Sequence, residues 1–475
     1  MMRKISLILV GAALGASTAL VGTQTRLLSS EPALAAASDT YRSLNLFGDV
    51  FEKIRSDYVE KPNDQKLVEA AINGMLNSLD PHSSYMDAKS FQDMQVQTRG
   101  EFGGLGIEVT QDKGVIKVVT PIDDTPASRA GILSGDIIAA INGDPVTGMT
   151  LNQAVDKMRG APDTTVTLKI LRGPKKDAKD VKLTRAIITI KSVRSHVIGD
   201  DIGYIRITQF NEQTADGVRN AILKFQSKIP SDKFKGYILD LRNNPGGLLD
   251  QSIAVVNDFV DHGEIVSTRG RNADETMRYN ARPGDLSKGK PMVVLINGGS
   301  ASASEIVAGA LQDHKRAIIL GTQSFGKGSV QTIIPLGQNN GALRLTTARY
   351  YTPSGRSIQA KGITPDVQVL EDVPPALKGK DDILGEASLK GHLMNGTDEK
   401  HGSQAYVPPD PKNDKQLIAA EDLLRGVTRA QNNVSGDHSA PASGTTSPAP
   451  AAPATSAAPA APATPTKPDA QKPPK

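Results

Sequence analysis

Apolar residues recur at helical spacing from Leu46 to Leu79, in Phe47, Val50, Phe51 and Ile54 and then in Leu67, Ala70, Ala71, Met75, Leu76 and Leu79. Side chains three and four apart share one face of a helix. Two helices are predicted there, ending at Asp80-Pro81 because proline removes a helical donor. His82 follows directly and reads as a cap or surface residue. From 103 to 185 the pattern turns strand-like. It opens on Gly103-Gly104-Leu105-Gly106-Ile107 and runs through β-rich stretches at Gly114 to Thr120, Ile137 to Asn142 and Thr164 to Leu171, with one helix at Leu151 to Arg159. After about Ile187 the two periods alternate. Strands are predicted at Gly203 to Thr208, Gly236 to Leu241, Met292 to Ile296, Ala317 to Leu320 and Val330 to Pro335, and helices at Leu248 to Val260 and Ser302 to Leu311. That alternation predicts an α/β layered domain. Short apolar clusters between Ala376 and Asn433 predict a helical appendage. Pro441 to Lys475, built almost wholly from Pro, Ala, Ser and Thr, predicts a disordered tail that cannot bury a core. The division is therefore 1–37 (export signal or anchor), 38–98 (helical), 99–186 (β-domain), 187–372 (α/β core), 373–436 (appendage) and 437–475 (tail).

Composition removes several classes of function. Among 475 residues, 55 basic and 51 acidic side chains nearly balance, so no basic footprint for nucleic acid exists. No Cys is present, which excludes disulfides, thiol nucleophiles and Cys metal sites; no metal or cofactor is expected. Met1-Met2-Arg3-Lys4 ahead of an apolar run from Ile5 to Val21, followed by Ala33-Leu34-Ala35, reads as an export signal. The small-residue site lies about a dozen residues beyond the run, so an uncut anchor is the alternative. The expectation is an exported, periplasmic protein, soluble or anchored by this segment.

Two Gly-rich elements fall between a predicted strand and a predicted helix, where α/β folds gather ligands: Arg242-Asn243-Asn244-Pro245-Gly246-Gly247 and Asn297-Gly298-Gly299-Ser300-Ala301-Ser302-Ala303-Ser304-Glu305. A serine there is placed to act as a nucleophile beside amides able to hold an oxyanion. Its base would be histidine, with His196, His262 and His314 available, or lysine. His314 lies about three helical turns past Ser302 and cannot meet it within one helix. Lys327 sits in Gly321-Thr322-Gln323-Ser324-Phe325-Gly326-Lys327-Gly328, almost a Walker A loop. Gly328 stands where a Mg²⁺-binding hydroxyl belongs, and a strand follows rather than a helix, which argues against phosphate binding.

The β-domain resembles a PDZ domain through Gly104-Leu105-Gly106-Ile107, Pro126-Ala127-Ser128-Arg129-Ala130-Gly131, Gly135-Asp136-Ile137-Ile138 and Ile141-Asn142-Gly143. Such a groove takes peptide C-termini by strand addition. The resemblance implies a carboxylate held by backbone N–H groups around Leu105, Gly106 and Ile107, with Arg159 at a carboxylate-sensing position or simply complementing a helix end.

Across about residues 44 to 372 the chain resembles the carboxyl-terminal processing proteases, Ser/Lys endopeptidases with an embedded PDZ domain. The resemblance rests on Gly299 to Ile306, the Gly326-Lys327-Gly328 loop, Gln331, Leu241 to Gly247, Tyr351 to Arg356 and Gly362 to Asp366. It implies a crotonase/ClpP-like core, Ser302 as nucleophile, Lys327 as general base and Gln331 orienting the lysine. It also implies Ala303 with Gly246 or Gly247 as oxyanion hole, and Glu305, Asp313 and Ser324 as accessory residues. Its substrates would be protein or peptide C-termini, including those of misfolded or exported proteins. Self-association and adaptor lipoproteins occur in the family. Two other readings stand beside it: an inactive PDZ scaffold binding C-termini, and a His-dependent hydrolase using His314.

Overall fold

The computed structural model describes residues 31–427 apart from 113, 123, 174–176 and 380–381. Most of the export segment and all of the 437–475 tail lie outside the described residues. Two helices, Glu31–Asp57 and Asp64–Asn77, occupy the predicted N-terminal region. Asn63 caps the second, its side chain accepting from the Lys66 N–H at 3.0 Å. Among the described residues no helix is long and apolar enough to cross a membrane.

The core is a six-stranded sheet in the order Val193–Ile198, Ile202–Ile207, Gly236–Asp240, Met292–Ile296, Ile318–Gly321 and Val367–Gln368. The first pair is antiparallel and the rest are parallel. Gly236–Asp240 and Met292–Ile296 are buried at every position, as a strand covered on both faces requires. Alternate side chains face opposite layers. Ile205, Tyr237, Leu239, Val294 and Ile296 pack with helices Thr214–Lys228, Leu249–Asn257 and Ala303–Asp313. Ile202, Tyr204, Ile238, Val293 and Leu295 pack with Leu417 and Ala420 of helix Lys415–Arg425.

That second layer comes from the segment expected as a helical appendage, 373–436. Its described part holds a single α-helix, which covers one face of the sheet, and a two-stranded ribbon pairing Asp382–Leu384 with Gly402–Gln404. Arg242, fully buried after the Gly236–Asp240 strand, bonds Asp414 through both terminal nitrogens (2.9 and 2.8 Å) and Asp240 beside it. The apolar clusters of a short helix do not reveal that a buried guanidinium anchors it.

A second sheet of five antiparallel strands has Ala342–Tyr351 pairing with Ser84–Met86, Ser329–Pro335 and Glu264–Arg269. It brings the turn after the N-terminal helices against Ala342–Tyr351, which also pairs with the strand that follows Lys327. The β-domain is an excursion whose entry and exit, Glu101–Gly104 and Ala186–Thr189, pair antiparallel. Its core packs Ala154 and Met158 of helix Leu151–Met158 on Ile116, Ile138, Leu168 and Ile170. Thr150 and Gln153 close a capping box on that helix, at 3.2 and 2.9 Å.

Candidate active site

Strand Met292–Ile296 runs into the Asn297–Ser302 turn and then helix Ala303–Asp313. Asn297 Oδ1 accepts from the Gly299 and Asn243 amides (3.0 and 2.9 Å), tying the two Gly-rich elements together. The three serines of the turn separate by their partners. Ser300 Oγ donates to Leu241 O and Ser304 Oγ to Asn244 O, each at 2.9 Å, whereas the Ser302 hydroxyl donates to no described acceptor. Ser302 has φ 55° and ψ −113°, a conformation costing on the order of 1–3 kcal/mol for a non-glycine residue. The strain is held by the helix behind it, buried from Ala303 to Leu311. A strained strand–turn–helix junction presenting a free hydroxyl is the arrangement a nucleophile requires, though the G-x-S-x-G spelling is absent.

Glu305 joins that turn to the lysine loop. Its Oε2 accepts from the Ser302 and Lys327 amides (2.8 and 2.9 Å), and its Oε1 from Ser324 Oγ and the Gly326 amide (2.5 and 2.7 Å). The loop that nearly spells a phosphate site thus turns its amides on an internal carboxylate. Burial pushes the Glu305 carboxyl up to about 7, against those four donors. Because one oxygen receives both amides, the Ser302 and Lys327 backbone nitrogens lie no more than about 6 Å apart.

Lys327 Nζ donates to Gln331 Oε1 and to Ser329 O (3.3 Å); no hydrogen bond joins it to Ser302 in this conformation. Burial pushes its amine down to about 8. The Glu386, Glu305 and Asp80 carboxylates oppose that shift and Arg344 reinforces it.

Gly246 packs so closely on the turn that a Cβ there would lie 2.8 Å from Ser302 Cβ and 2.9 Å from the Ala303 nitrogen. Its own amide is spent on Asn244 Oδ1 at 2.9 Å. The amides of Ala303 and Gly247 donate to no described acceptor, so of the two glycines Gly247 is the one left with an N–H to offer an oxyanion.

The other candidates separate by position. Ser324 is part of the Glu305 cluster. Asp313 is not: it ends the helix that Ser302 begins, about 15 Å away, and binds the Ser354 amide and Arg356. His314 ends the helix that Ser302 begins and gives Nε2 to Glu264 O at 2.7 Å, and His196 packs against Tyr204, so the reading that uses His314 has no base at Ser302. His82 is neither cap nor surface residue; its Nε2 lies 2.8 Å from an oxygen of the fully buried Glu386. Glu386 also takes Gln359 Nε2 (2.9 Å), and Gln359 Oε1 takes the Gly328 amide (3.1 Å). Sequence reasoning missed Asp80, Thr346, Asn244 and Glu386. Asp80 and Asn244 follow element ends as ordinary caps do, and Thr346 lies mid-strand like any β-branched residue, so the sequence carries no signal that singles them out.

In the β-domain, Leu105, Gly106, Ile107 and Arg159 line one groove of ≈ 230 Å³ with Phe102, Val155 and Met158. The Leu105 and Gly106 amides donate to no described acceptor. Arg159 leaves the helix in extended conformation, with its guanidinium over the Phe102 ring at 5.0 Å, Nη1 3.4 Å from Asp93, and a buried Nε lacking a partner. Its backbone N–H caps the helix on Val155 O at 2.9 Å, while the guanidinium bonds no described helix carbonyl.

The Peptidase family S41 model matches residues 201–369, the PDZ domain model 103–183 and the Activating protease CtpB N-terminal domain model 12–90. A carboxy-terminal-processing protease of Bartonella bacilliformis is 58% identical over 433 residues, covering 90% of this chain and 98% of that protein. The carboxy-terminal processing protease CtpA of Bacillus subtilis is 39% identical, covering 67% of each. Among solved structures, a photosystem II D1 C-terminal processing protease aligns with 31% identity and TM-score 0.40, over 68% of this chain and 92% of that one. With a peptidase match and a PDZ match in one chain and a relative 58% identical, the chain belongs to the carboxy-terminal-processing proteases of peptidase family S41.

Proposed function

We propose that this peptidase cleaves proteins near their C-termini with a Ser302/Lys327 dyad and selects them by the C-terminus docked in its PDZ groove. The observation that carries the chemistry is the single Glu305 carboxylate that gathers the backbone amides of strained Ser302 and of Lys327, whose amine burial moves towards its neutral form. A neutral primary amine has two N–H groups and one lone pair. Gln331 Oε1 and Ser329 O occupy the two donors, so the lone pair is what remains to meet the Ser302 hydroxyl once the loops close the remaining gap. Ser302 Oγ then attacks the scissile carbonyl while its proton passes to Lys327 Nζ. The oxyanion falls to the Ala303 and Gly247 amides. The Lys327 ammonium returns the proton to the leaving amine, and water, deprotonated by the same amine, releases the acyl group from Ser302. Ser302→Ala and Lys327→Ala should each abolish peptide cleavage without unfolding the chain; turnover surviving in either rejects the dyad.

Supporting the docking reading are the unpaired Leu105 and Gly106 amides and the Arg159 guanidinium around an apolar groove. A peptide amidated at its C-terminus should be cut more slowly than its free acid, and equal rates would remove the groove from recognition. We place the protein outside the cytoplasm on the strength of its Met1 to Val21 segment; intact chain in a cytosolic fraction would contradict this. Leu44, Phe47, Val50 and Ile54 are at least 39% exposed along the first helix, which favours self-association there, measurable by light scattering. An adaptor lipoprotein is the other partner that family membership suggests, to be sought by co-purification from the envelope.

A further inference from the structure

A side-chain amide can present either its oxygen or its NH₂ group, and something must choose. At Gln331 the chooser is legible. Gln331 Nε2 donates to Ser329 Oγ at 3.0 Å and to Thr346 Oγ1 at 3.1 Å, its register partner in the next strand. Thr346 Oγ1 in turn donates to Asp80 Oδ1 at 3.0 Å. Asp80 is buried and also receives the His82 amide (2.9 Å), the Ser83 amide (3.0 Å) and Ser83 Oγ (2.7 Å). Burial works to raise its pKa, but these donors outweigh it and hold the carboxyl below its ordinary value. At neutral pH it is therefore ionised and can only accept. The Thr346 proton is committed to it, Thr346 oxygen can only accept from Gln331, and the Gln331 oxygen is left facing Lys327.

We propose that Asp80 and Thr346 form a polarity relay that sets which end of the Gln331 amide meets Lys327, making both positioning residues of the peptidase site. With the amide reversed, Lys327 would face a donor and answer it with its lone pair, the electron pair that Ser302 needs. The relay runs from the turn after the N-terminal helices into the core, and it rests on the reading of Lys327 as the base.

The test uses the full chain, one free-acid peptide substrate and the variants Thr346→Val, Thr346→Ser and Lys327→Ala, with thermal melting to follow the fold. Valine keeps the branched shape and removes the hydroxyl; serine keeps the hydroxyl and loses the methyl. The relay predicts that Thr346→Val lowers kcat about tenfold or more with KM near that of the parent, while Thr346→Ser stays within about threefold. A packing role predicts the reverse order. Parent-like kcat in Thr346→Val, a change confined to KM, or an equal fall in Thr346→Ser overturns the relay. Activity surviving Lys327→Ala would instead sink the base assignment, separately visible because that variant does not involve Thr346.

Discussion

At the scale of single residues, the site depends on two groups that burial moves in opposite directions. Lys327 must be neutral to act, and with its amine at about 8 kcat/KM should climb as pH rises through that value. A profile flat from pH 6 to 9 would be incompatible with it. The folded state holds this proton less tightly than the unfolded chain, whose lysine has its ordinary 10.5. The buried amine therefore costs stability at and below pH 8, and the cost fades as pH climbs from 8 towards 10.5. Lys327→Met should be more stable than the parent at pH 7 by on the order of 2 kcal/mol, with the gap narrowing by pH 10; the same gap at both pH values would speak against the shift. Glu305 has the converse task. Glu305→Gln keeps the size but offers one acceptor oxygen where four donors converge, so at least one amide is left facing an NH₂ group. We expect kcat to fall by about a hundredfold and stability by about 2–4 kcal/mol, measured by kinetics and chemical denaturation.

At the scale of elements, catalytic geometry is built where two strand-to-helix turns abut. Gly246 permits that approach: it has φ 100°, and a Cβ would sit 2.8 Å from Ala301 O. Gly246→Ala should therefore abolish turnover by pushing the Ser302 turn away from the Gly247 amide, while the separate PDZ groove still binds a C-terminal peptide by calorimetry. Loss of peptide binding as well would mean that the damage is global. The Walker-like loop shows the same dependence on neighbours. Its amides form an anion nest, and the occupant is decided by Glu305 arriving from the adjoining helix.

For the whole molecule, helix Lys415–Arg425 covers one face of the core sheet. Arg242 lies beneath it, and Asp414→Ala would strip that buried guanidinium of one of the two carboxylates that bind it, leaving Asp240, costing about 3 kcal/mol and lowering the Tm; an unchanged melting curve would refute the anchoring. Much of this protein can be read from the chain alone. Period 2 and period 3.6 locate the PDZ strands and the core strands, since alternation and face-sharing are local properties that survive in a linear string. Small-residue turns at strand ends expose the Ser302 and Lys327 loops, because close backbone approach demands glycine and serine wherever it occurs. The choice among Ser300, Ser302 and Ser304 by hydrogen-bond partners, the Gly247 rather than Gly246 amide, the displacement of Asp313, and the roles of Asp80, Thr346 and Glu386 depend on chains meeting across 20 to 300 residues. No spacing encodes such meetings. Hydrogen bonds and burial act over about 3 Å in space, whatever the distance along the backbone.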